Sequence, residues 1–136
     1  MIATGLARAL RDSGLRWTPR AGDAFVIDRI EAEDEVFILS DMTVEAHEFD
    51  TGTVLGFNGT TEWALDSVSL DDALWHPRED QLRELLAAAF VSLARADDGW
   101  SVTATVDGIR SEFRATDAAD AYARALLAVL DALVAD

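Results

Sequence analysis

A tight turn between two alternating segments constrains the fold of this chain more than any other feature. Asp107-Gly108 joins Trp100–Val106 to Ile109–Arg114, and apolar and polar residues alternate in both segments. An Asp-Gly pair in this position is the strongest short-range signal of a β-hairpin, because both residues tolerate the positive φ angles of a type I′ turn. The sequence therefore predicts an antiparallel hairpin near the carboxyl end.

A second hairpin is predicted in the first half of the chain. Segments 43–49 and 53–57 flank Asp50-Thr51-Gly52, where Asp can open a type I turn and Gly can take the left-handed position of a three-residue loop. In this register one face is shared by Glu45, His47, Phe49, Thr53, Leu55 and Phe57. Further strands are predicted at 24–27, 36–39 and 62–65, the last after an Asn58-Gly59 turn.

Three helices are predicted, at 2–13, 78–96 and 117–134. Gly14 suits the left-handed position after the first helix, and Asp117 suits the N-cap of the third. The second helix carries an apolar stripe and is expected to be buried all round beyond residue 87. The inner stripe of the third helix is predicted to consist of Tyr122, Leu126, Leu130 and Leu133.

These elements predict an α+β fold in a single domain, residues 1–136. We expect a largely antiparallel sheet of about five to seven strands, with two main helices and a short N-terminal helix packed on one face. A chain of this length buries roughly two-thirds of its unfolded surface, which is enough for a core without disulfides. The composition changes at Pro77, between an acidic strand-rich half and a helix-rich half, and we interpret this as a seam within one core.

Negative charge is concentrated in the middle of the chain. Asp and Glu number 26 against 11 basic residues, all of them Arg, for a net charge of −15. Residues 1–22 carry a net charge of +3, residues 23–84 of −14 and residues 85–136 of −4. Such a chain repels nucleic-acid phosphate and anionic lipid, so neither direct nucleic-acid binding nor membrane binding is expected. The sequence also lacks an apolar run of the ~18 residues that cross a bilayer and the apolar core of a secretory signal, so a cytoplasmic location is expected.

The chain contains no Lys and no Cys. These absences exclude a phosphate-loop lysine, a Schiff base, a thiol nucleophile, a disulfide and an iron–sulfur cluster. Neither an HxH nor an HxxxH pair surrounds the two histidines, and no GxSxG motif is present. We therefore assign no catalytic residue, no metal and no cofactor, while an enzyme remains an alternative.

Four residues are candidates for an interaction site: His47, His76, Trp63 and Trp75. Each histidine is alone in its segment, although carboxylates lie near both in the sequence. Tryptophan buries a large apolar area and is enriched at interaction hot spots, and both tryptophans lie at the ends of predicted elements.

Three stretches, Asp34–Glu45, Gly56–Asp66 and Leu74–Leu86, resemble a family of small acidic uncharacterised proteins of actinobacteria, and the likeness extends over residues 6–130. Some members of that family carry the name pilus assembly protein CpaE, and the second half also looks like a group of small phage and bacterial proteins of unknown function. The resemblance implies family membership and no activity. A true protein of that name resembles a MinD/ParA-type ATPase, whose phosphate loop needs a lysine that this chain lacks. We interpret the label as a mis-transferred name.

The leading hypothesis is a non-enzymatic interaction or regulatory module that uses the acidic segment 23–84 to bind a basic protein. Residues 1–22 could dock onto that segment in the same chain or in a second copy, and the second arrangement would give a homodimer. One alternative is a small ligand-binding domain or enzyme with a cleft formed by carboxylates and His47 or His76. Another is a nucleic-acid mimic whose acidic side chains are spaced like phosphates.

Overall fold

A computed structural model describes residues 1–27, 36–39, 45–49, 52–56, 67–69 and 72–134, with the backbone alone for 45–49, 52–56 and 67–69. The helices are α1 (Thr4–Asp12), α2 (Glu79–Leu86) and α3 (Ala118–Val134). The strands are β1 (Ala24–Ile27), β2 (Val36–Ile38), β3 (Glu45–Phe49), β4 (Gly52–Gly56), β5 (Ser67–Ser69), β6 (Ala73–His76), β7 (Phe90–Ala96), β8 (Gly99–Val106) and β9 (Ile109–Ala115). The architecture is therefore α+β, and every pairing among these strands is antiparallel.

The predicted single sheet of five to seven strands is wrong. The described strands form three separate three-stranded sheets, in the orders β2-β1-β6, β3-β4-β5 and β7-β8-β9. Most of these strands pair with a neighbour in the chain, β1 with β6 being the long-range exception, and no described strand extends a pairing from one sheet to the next.

The chain divides into two compact units. Residues 17–76 form one, which we call the sheet unit, and residues 1–16 with 77–136 form the other, the helical unit. The division falls between His76 and Pro77, where the sequence predicts a change in composition. The single domain over residues 1–136 stays a prediction.

The sheet unit is organised around β1, which is buried at all four of its residues. Strand β1 pairs with β2 on one side and with β6 on the other. A core cluster on this sheet consists of Phe25, Ile27, Leu39 and Ala73, with Trp17 and Phe37 packed against it. The sequence did not predict β5 or β6 as strands, and the predicted strand 62–65 and Asn58-Gly59 turn lie outside the described residues.

The hairpin of β3 and β4 is confirmed, but its predicted register is wrong by one residue. Phe49 pairs with Gly52, so only residues 50 and 51 separate the paired ends. The prediction placed Gly52 in the loop, whereas it is the first residue of β4. His47 consequently stands opposite Val54 instead of Leu55, and a slip of one residue exchanges the two faces of a strand.

The helical unit places its sheet against α3. Helix α3 packs against β8 and β9, and α1 and α2 pack against α3. Val102 and Ala104 of the central strand are fully buried, as are Tyr122 and Leu126 of α3. The ring of Phe90 on β7 lies 5.7 Å from the Tyr122 ring. The face of the sheet that carries Phe90, Val102 and Ala104 is therefore the one covered by the helix.

The predicted helix 78–96 is wrong in its second half. Helix α2 ends at Leu86, a single 3-10 turn covers Ala87–Ala89, and the chain then forms β7. Ala87 leaves the helix with a positive φ of 50°. Alanine and leucine favour a helix locally, but pairing with β8 overrides that preference. Asp97-Asp98 is consequently the turn of a hairpin, although the same two residues are equally typical of the end of a helix.

The exposure of β7 also differs from the expectation of a segment buried all round. Val91 is 36% exposed, and Ser92, Ala94 and Arg95 are exposed as well.

Among the described residues no helix has the length and apolar character needed to cross a membrane.

The remaining sequence predictions for the helical unit are confirmed in most respects. Asp107 and Gly108 have φ angles of 52° and 79°, as a type I′ turn requires. Asp117 caps α3, because its Oδ1 accepts a hydrogen bond from the Ala119 amide at 2.8 Å. The inner stripe of α3 is right for Tyr122 and Leu126, both buried, but wrong for Leu133, which is 70% exposed.

The N-terminal segment is tied to α3 by three acidic residues of that helix and its cap. The N-terminal ammonium group donates to Asp117 at 3.0 Å, and the Ala3 amide donates to Asp120 at 2.7 Å. The Ser13 hydroxyl donates to Asp131 at 3.0 Å. The predicted docking of residues 1–22 onto the segment 23–84 stays a prediction.

We expect Gly99→Ala to destabilise the helical unit. Gly99 has a φ of +155°, and an added Cβ would lie 2.3 Å from the Ala115 carbonyl oxygen and 2.6 Å from the Thr116 Cα. Both neighbours are backbone atoms, so the strands must separate, and a loss of about 1–3 kcal/mol is expected in urea unfolding. Gly5→Ala is the matched control, because nothing lies within 4 Å of its added Cβ. Equal stability of the two variants would contradict the close approach of β8 and β9.

We expect Asp117→Ala to lower the free energy of unfolding by about 1 kcal/mol, the usual cost of losing an N-cap acceptor. The substitution removes the acceptor of the Ala119 amide. Glu84→Ala, which removes an exposed carboxylate from α2, is the control for a lost negative charge. Chemical denaturation compares the two, and a Glu84 variant as unstable as the Asp117 variant would remove the capping role.

Candidate functional site

A row of aromatic side chains crosses the first sheet of the sheet unit. Phe25 on β1 stands opposite Phe37 on β2 and opposite Trp75 on β6. The Phe25 and Phe37 rings have centroids 5.6 Å apart. Trp17 stacks on Trp75 at 6.4 Å and 11°, and its ring lies 5.5 Å from Phe25. Phe25 is fully buried, while the other three rings are half-buried. The row is therefore a partly exposed aromatic surface that packs around the buried Phe25 ring.

The buried carboxylate of Asp23 holds this row in place. Asp23 is 2% exposed, and its Oδ2 accepts hydrogen bonds from the Trp17 indole nitrogen at 2.9 Å and the Arg20 amide at 3.0 Å. Its carbonyl oxygen accepts a hydrogen bond from the Leu39 amide at 2.9 Å, and the Gly22 amide donates to the Leu39 carbonyl at 2.7 Å. A single residue thus fixes both the Trp17 ring and the end of β2.

Strand β2 is an edge strand of the described sheet and carries apolar residues on both faces. Phe37 points toward the aromatic row, and Val36 and Ile38 point to the opposite face, where they are 42% and 60% exposed. The strand has no charged residue, although four of the five residues before it, 31–35, are acidic. Its outer main-chain groups are not paired with any described strand, and together with the exposed apolar side chains they suit this edge to a further strand.

His76 lies on the same face of this sheet as Ile38. Both residues stand opposite Ala24, His76 from β6 and Ile38 from β2. His76 is 3% exposed, and its burial lowers the pKa of the imidazole from the ordinary 6.5. A buried neutral histidine is part of the packing of β6, since it offers little surface to a ligand.

The four predicted site residues have different outcomes. Trp75 and His76 are neighbours on β6, but they point to opposite faces of the sheet. The Trp75 indole nitrogen is buried and has no hydrogen-bond partner among the residues that the structure describes. His47 lies on β3, where the backbone alone is described, and Trp63 lies outside the described residues. Their role in an interaction site stays a prediction.

Apart from Trp75, the sequence did not single out the residues that build the aromatic row. Trp17 is far from Trp75 in the chain, and Asp23 is one of 26 acidic residues. Only the pairing of β1 with β6 brings Trp75 beside Phe25 and thus beside Trp17. The proximity of Trp17 and Asp23 to Pro19, which favours a compact turn, is the one local signal that could have suggested their contact.

The helical unit has an open depression of about 270 Å³ at one end of its sheet. It is lined by residues 96–100 of the β7–β8 turn and 114–116 at the end of β9. The Arg95 guanidinium lies beside it, 5.3 Å from the centre of the Trp100 ring, in a cation–π contact. Across the parts of the chain that the structure describes, no three His, Cys, Asp or Glu residues are grouped to hold a metal ion.

No family model, curated protein or solved structure matches the chain. The resemblance to the acidic actinobacterial family consequently stays a prediction.

We expect mild acid to destabilise the protein through His76. The folded state holds the pKa of His76 below its ordinary value, so the unfolded state binds the proton more readily as pH falls below about 6.5. The stability that neutral His76 contributes is fully present above that pH and declines as pH falls toward the folded pKa. The Tm of the wild type should therefore fall more than the Tm of His76→Gln when the pH is lowered from 7.5 to 5. Parallel pH curves for the two proteins would contradict this account.

Proposed function

We propose that the chain is a non-enzymatic interaction or regulatory module that binds an extended segment of a basic partner along β2. The observation that supports this proposal most strongly is the exposure of Val36 and Ile38, at 42% and 60%, on an edge strand without charge. An extended peptide can add to such an edge through main-chain hydrogen bonds, and its alternate side chains then meet Val36 and Ile38.

The sign of the partner's charge follows from the sequence around β2. Glu31, Glu33, Asp34 and Glu35 precede the strand, and Asp41 follows it closely. Charges of one sign accelerate the approach of a partner of the opposite sign and disfavour acidic competitors. The exposed apolar side chains then provide the contact that a purely electrostatic attraction lacks.

The rigidity of the strand also supports the proposal. Phe37 packs on Phe25, and the Leu39 amide and carbonyl are bonded to Asp23 and Gly22. A strand that is already fixed loses little conformational entropy when a peptide pairs with it. The aromatic row thus serves as the support of the docking edge.

We expect a synthetic peptide of alternating Lys and Val to bind the full chain, with an affinity that falls as salt rises. Titration calorimetry measures the affinity, and a peptide of alternating Glu and Val is the ligand control. Ile38→Glu should weaken binding at least about tenfold, because it places a charge among apolar contacts and blocks the edge.

Ile109→Glu is the matched control, since Ile109 is 68% exposed on β9 in the other unit. Both variants add one negative charge, so general attraction of a basic peptide increases equally in both. Equal binding by the two variants, or equal binding of the Lys and Glu peptides by the wild type, would contradict the proposal.

A further inference from the structure

We propose that residues 87–96 form a releasable strap, which alternates between the edge strand β7 and a helical continuation of α2 while the rest of the helical unit stays folded. This inference concerns the helical unit and does not depend on the function proposed for β2. Strand β7 is seven residues long, lies at one edge of the sheet β7-β8-β9 and occupies one side of β8.

The strap keeps the sequence pattern of a helix although it is folded mostly as a strand. Neither Gly nor Pro occurs between Pro77 and Gly99, and residues 85–89 consist of leucine and alanine, which are among the strongest helix formers. The apolar residues continue from α2 into β7 at the spacing of three and four residues that is typical of a helix, namely at Leu82, Leu85, Leu86, Ala89, Phe90 and Leu93. The sequence of the strap is therefore compatible with both a helix and a strand.

The junction between α2 and β7 is strained in the strand state. Ala87 ends α2 with a φ of 50° and a ψ of −125°, although it has a Cβ atom and no polar side chain that would favour a positive φ. Among the described residues the other non-glycine residue with a positive φ is Asp107, which lies in a type I′ turn that requires one. A helix that continued through residue 87 would give Ala87 an ordinary negative φ, so the helical state relieves this strain.

The strap is also weakly held. Strand β7 pairs with β8 alone among the described strands, its register shifts between Phe90 and Ser92, and none of its seven residues is buried. Its side chains are anchored through Phe90, whose ring lies 5.7 Å from the Tyr122 ring, and through Arg95, whose guanidinium lies 5.3 Å from the centre of the Trp100 ring. Segments with few buried apolar contacts are the ones that open before a whole domain unfolds.

Release of the strap changes which main-chain groups are paired. The released residues lose their hydrogen bonds to β8, but a helix gives their amides new acceptors four residues earlier in the chain. Strand β8 loses its partner on that side, and this cost makes the released state the minor one. The strap therefore controls access to the edge of β8, because an unpaired edge of this kind can pair with a strand of another molecule.

The hydrogen-bond pattern of β8 distinguishes release of the strap from unfolding of the whole sheet. Ala96 pairs with Gly99 across the two-residue turn 97–98, and the closing pair of such a hairpin is hydrogen-bonded. Hydrogen-bonded pairs then alternate with non-hydrogen-bonded ones, so the Ser101 amide donates to Ala94 of β7. The amide of the next residue, Val102, points to the opposite side, toward β9. Release thus frees the Ser101 amide and leaves the Val102 amide bonded.

Residue-resolved amide hydrogen exchange of the full chain measures the release. We expect the Ser101 amide to exchange at least about tenfold faster than the Val102 amide, once both rates are corrected for their values in an unfolded chain. The reason is that Val102 exchanges only when the sheet itself opens. Equal protection of these two neighbouring amides would overturn the proposal.

Glycine at position 87 should keep the strap closed. Ala87→Gly relieves the strained φ of the strand state and weakens the helical state, so exchange of the Ser101 amide should slow about tenfold. Ala88→Gly is the matched control, because Ala88 is also exposed and lies in the same 3-10 turn without a positive φ. Equal effects of the two substitutions, or faster exchange in Ala87→Gly, would contradict the strain at the junction and overturn the proposal.

A variant that loses an anchor determines the structure of the released strap. Phe90→Ala removes the ring that packs on Tyr122, so nuclear magnetic resonance should detect a second state in which residues 88–95 have helical Cα chemical shifts. Phe113→Ala is the control, because Phe113 is also half-buried but lies on β9, and it should show no such state. A second state with coil shifts, or none at all, would overturn the proposal. If Phe90→Ala does not fold, Arg95→Ala removes the other anchor, and the same outcomes decide.

Discussion

Main-chain hydrogen bonding between short antiparallel strands is the constraint on which the rest of this structure depends. Each of the three described sheets has three strands, so each central strand is satisfied on both sides and each sheet has two edges. Helix α3 covers one face of the sheet β7-β8-β9, and Trp17 packs beside Phe25 on the sheet β2-β1-β6. Such packing leaves the main-chain groups at a sheet edge without hydrogen-bond partners, and this is why the proposed docking surface is the edge strand β2.

The sequence predicted the elements whose signals are local. Asp107-Gly108 defines its hairpin because both residues adopt the positive φ angles that the turn needs. Asp117 defines the start of α3 because its side chain bonds the helix directly. Two local patterns led to wrong predictions because each is compatible with two structures. Asp50-Thr51-Gly52 is compatible with a loop of two or of three residues. The Ala- and Leu-rich segment after Leu86 is compatible with a helix, but it pairs with β8 as a strand.

The candidate site was less predictable than the fold, because it is assembled from distant parts of the chain. Composition drew attention to Trp75 and His76, but alternation along β6 places them on opposite faces. The contact of Trp17 with Trp75 depends on the pairing of β1 with β6, which local sequence does not encode. The contact of Trp17 with Asp23 spans six residues, and Pro19 between them is its one local signal. The exposure of Val36 and Ile38 is invisible in the sequence for the same reason, since an edge strand and a central strand share one apolar pattern.

The acidic residues that flank β2 in the sequence are the reason for proposing a basic segment as its partner. Amide hydrogen exchange of the wild type with the Lys–Val peptide, at low salt, tests this proposal most directly. The account predicts that the peptide slows exchange in Val36–Ile38 and leaves Leu93 and Arg95 unchanged. Protection confined to β7 or α3, with no change in β2, would contradict it.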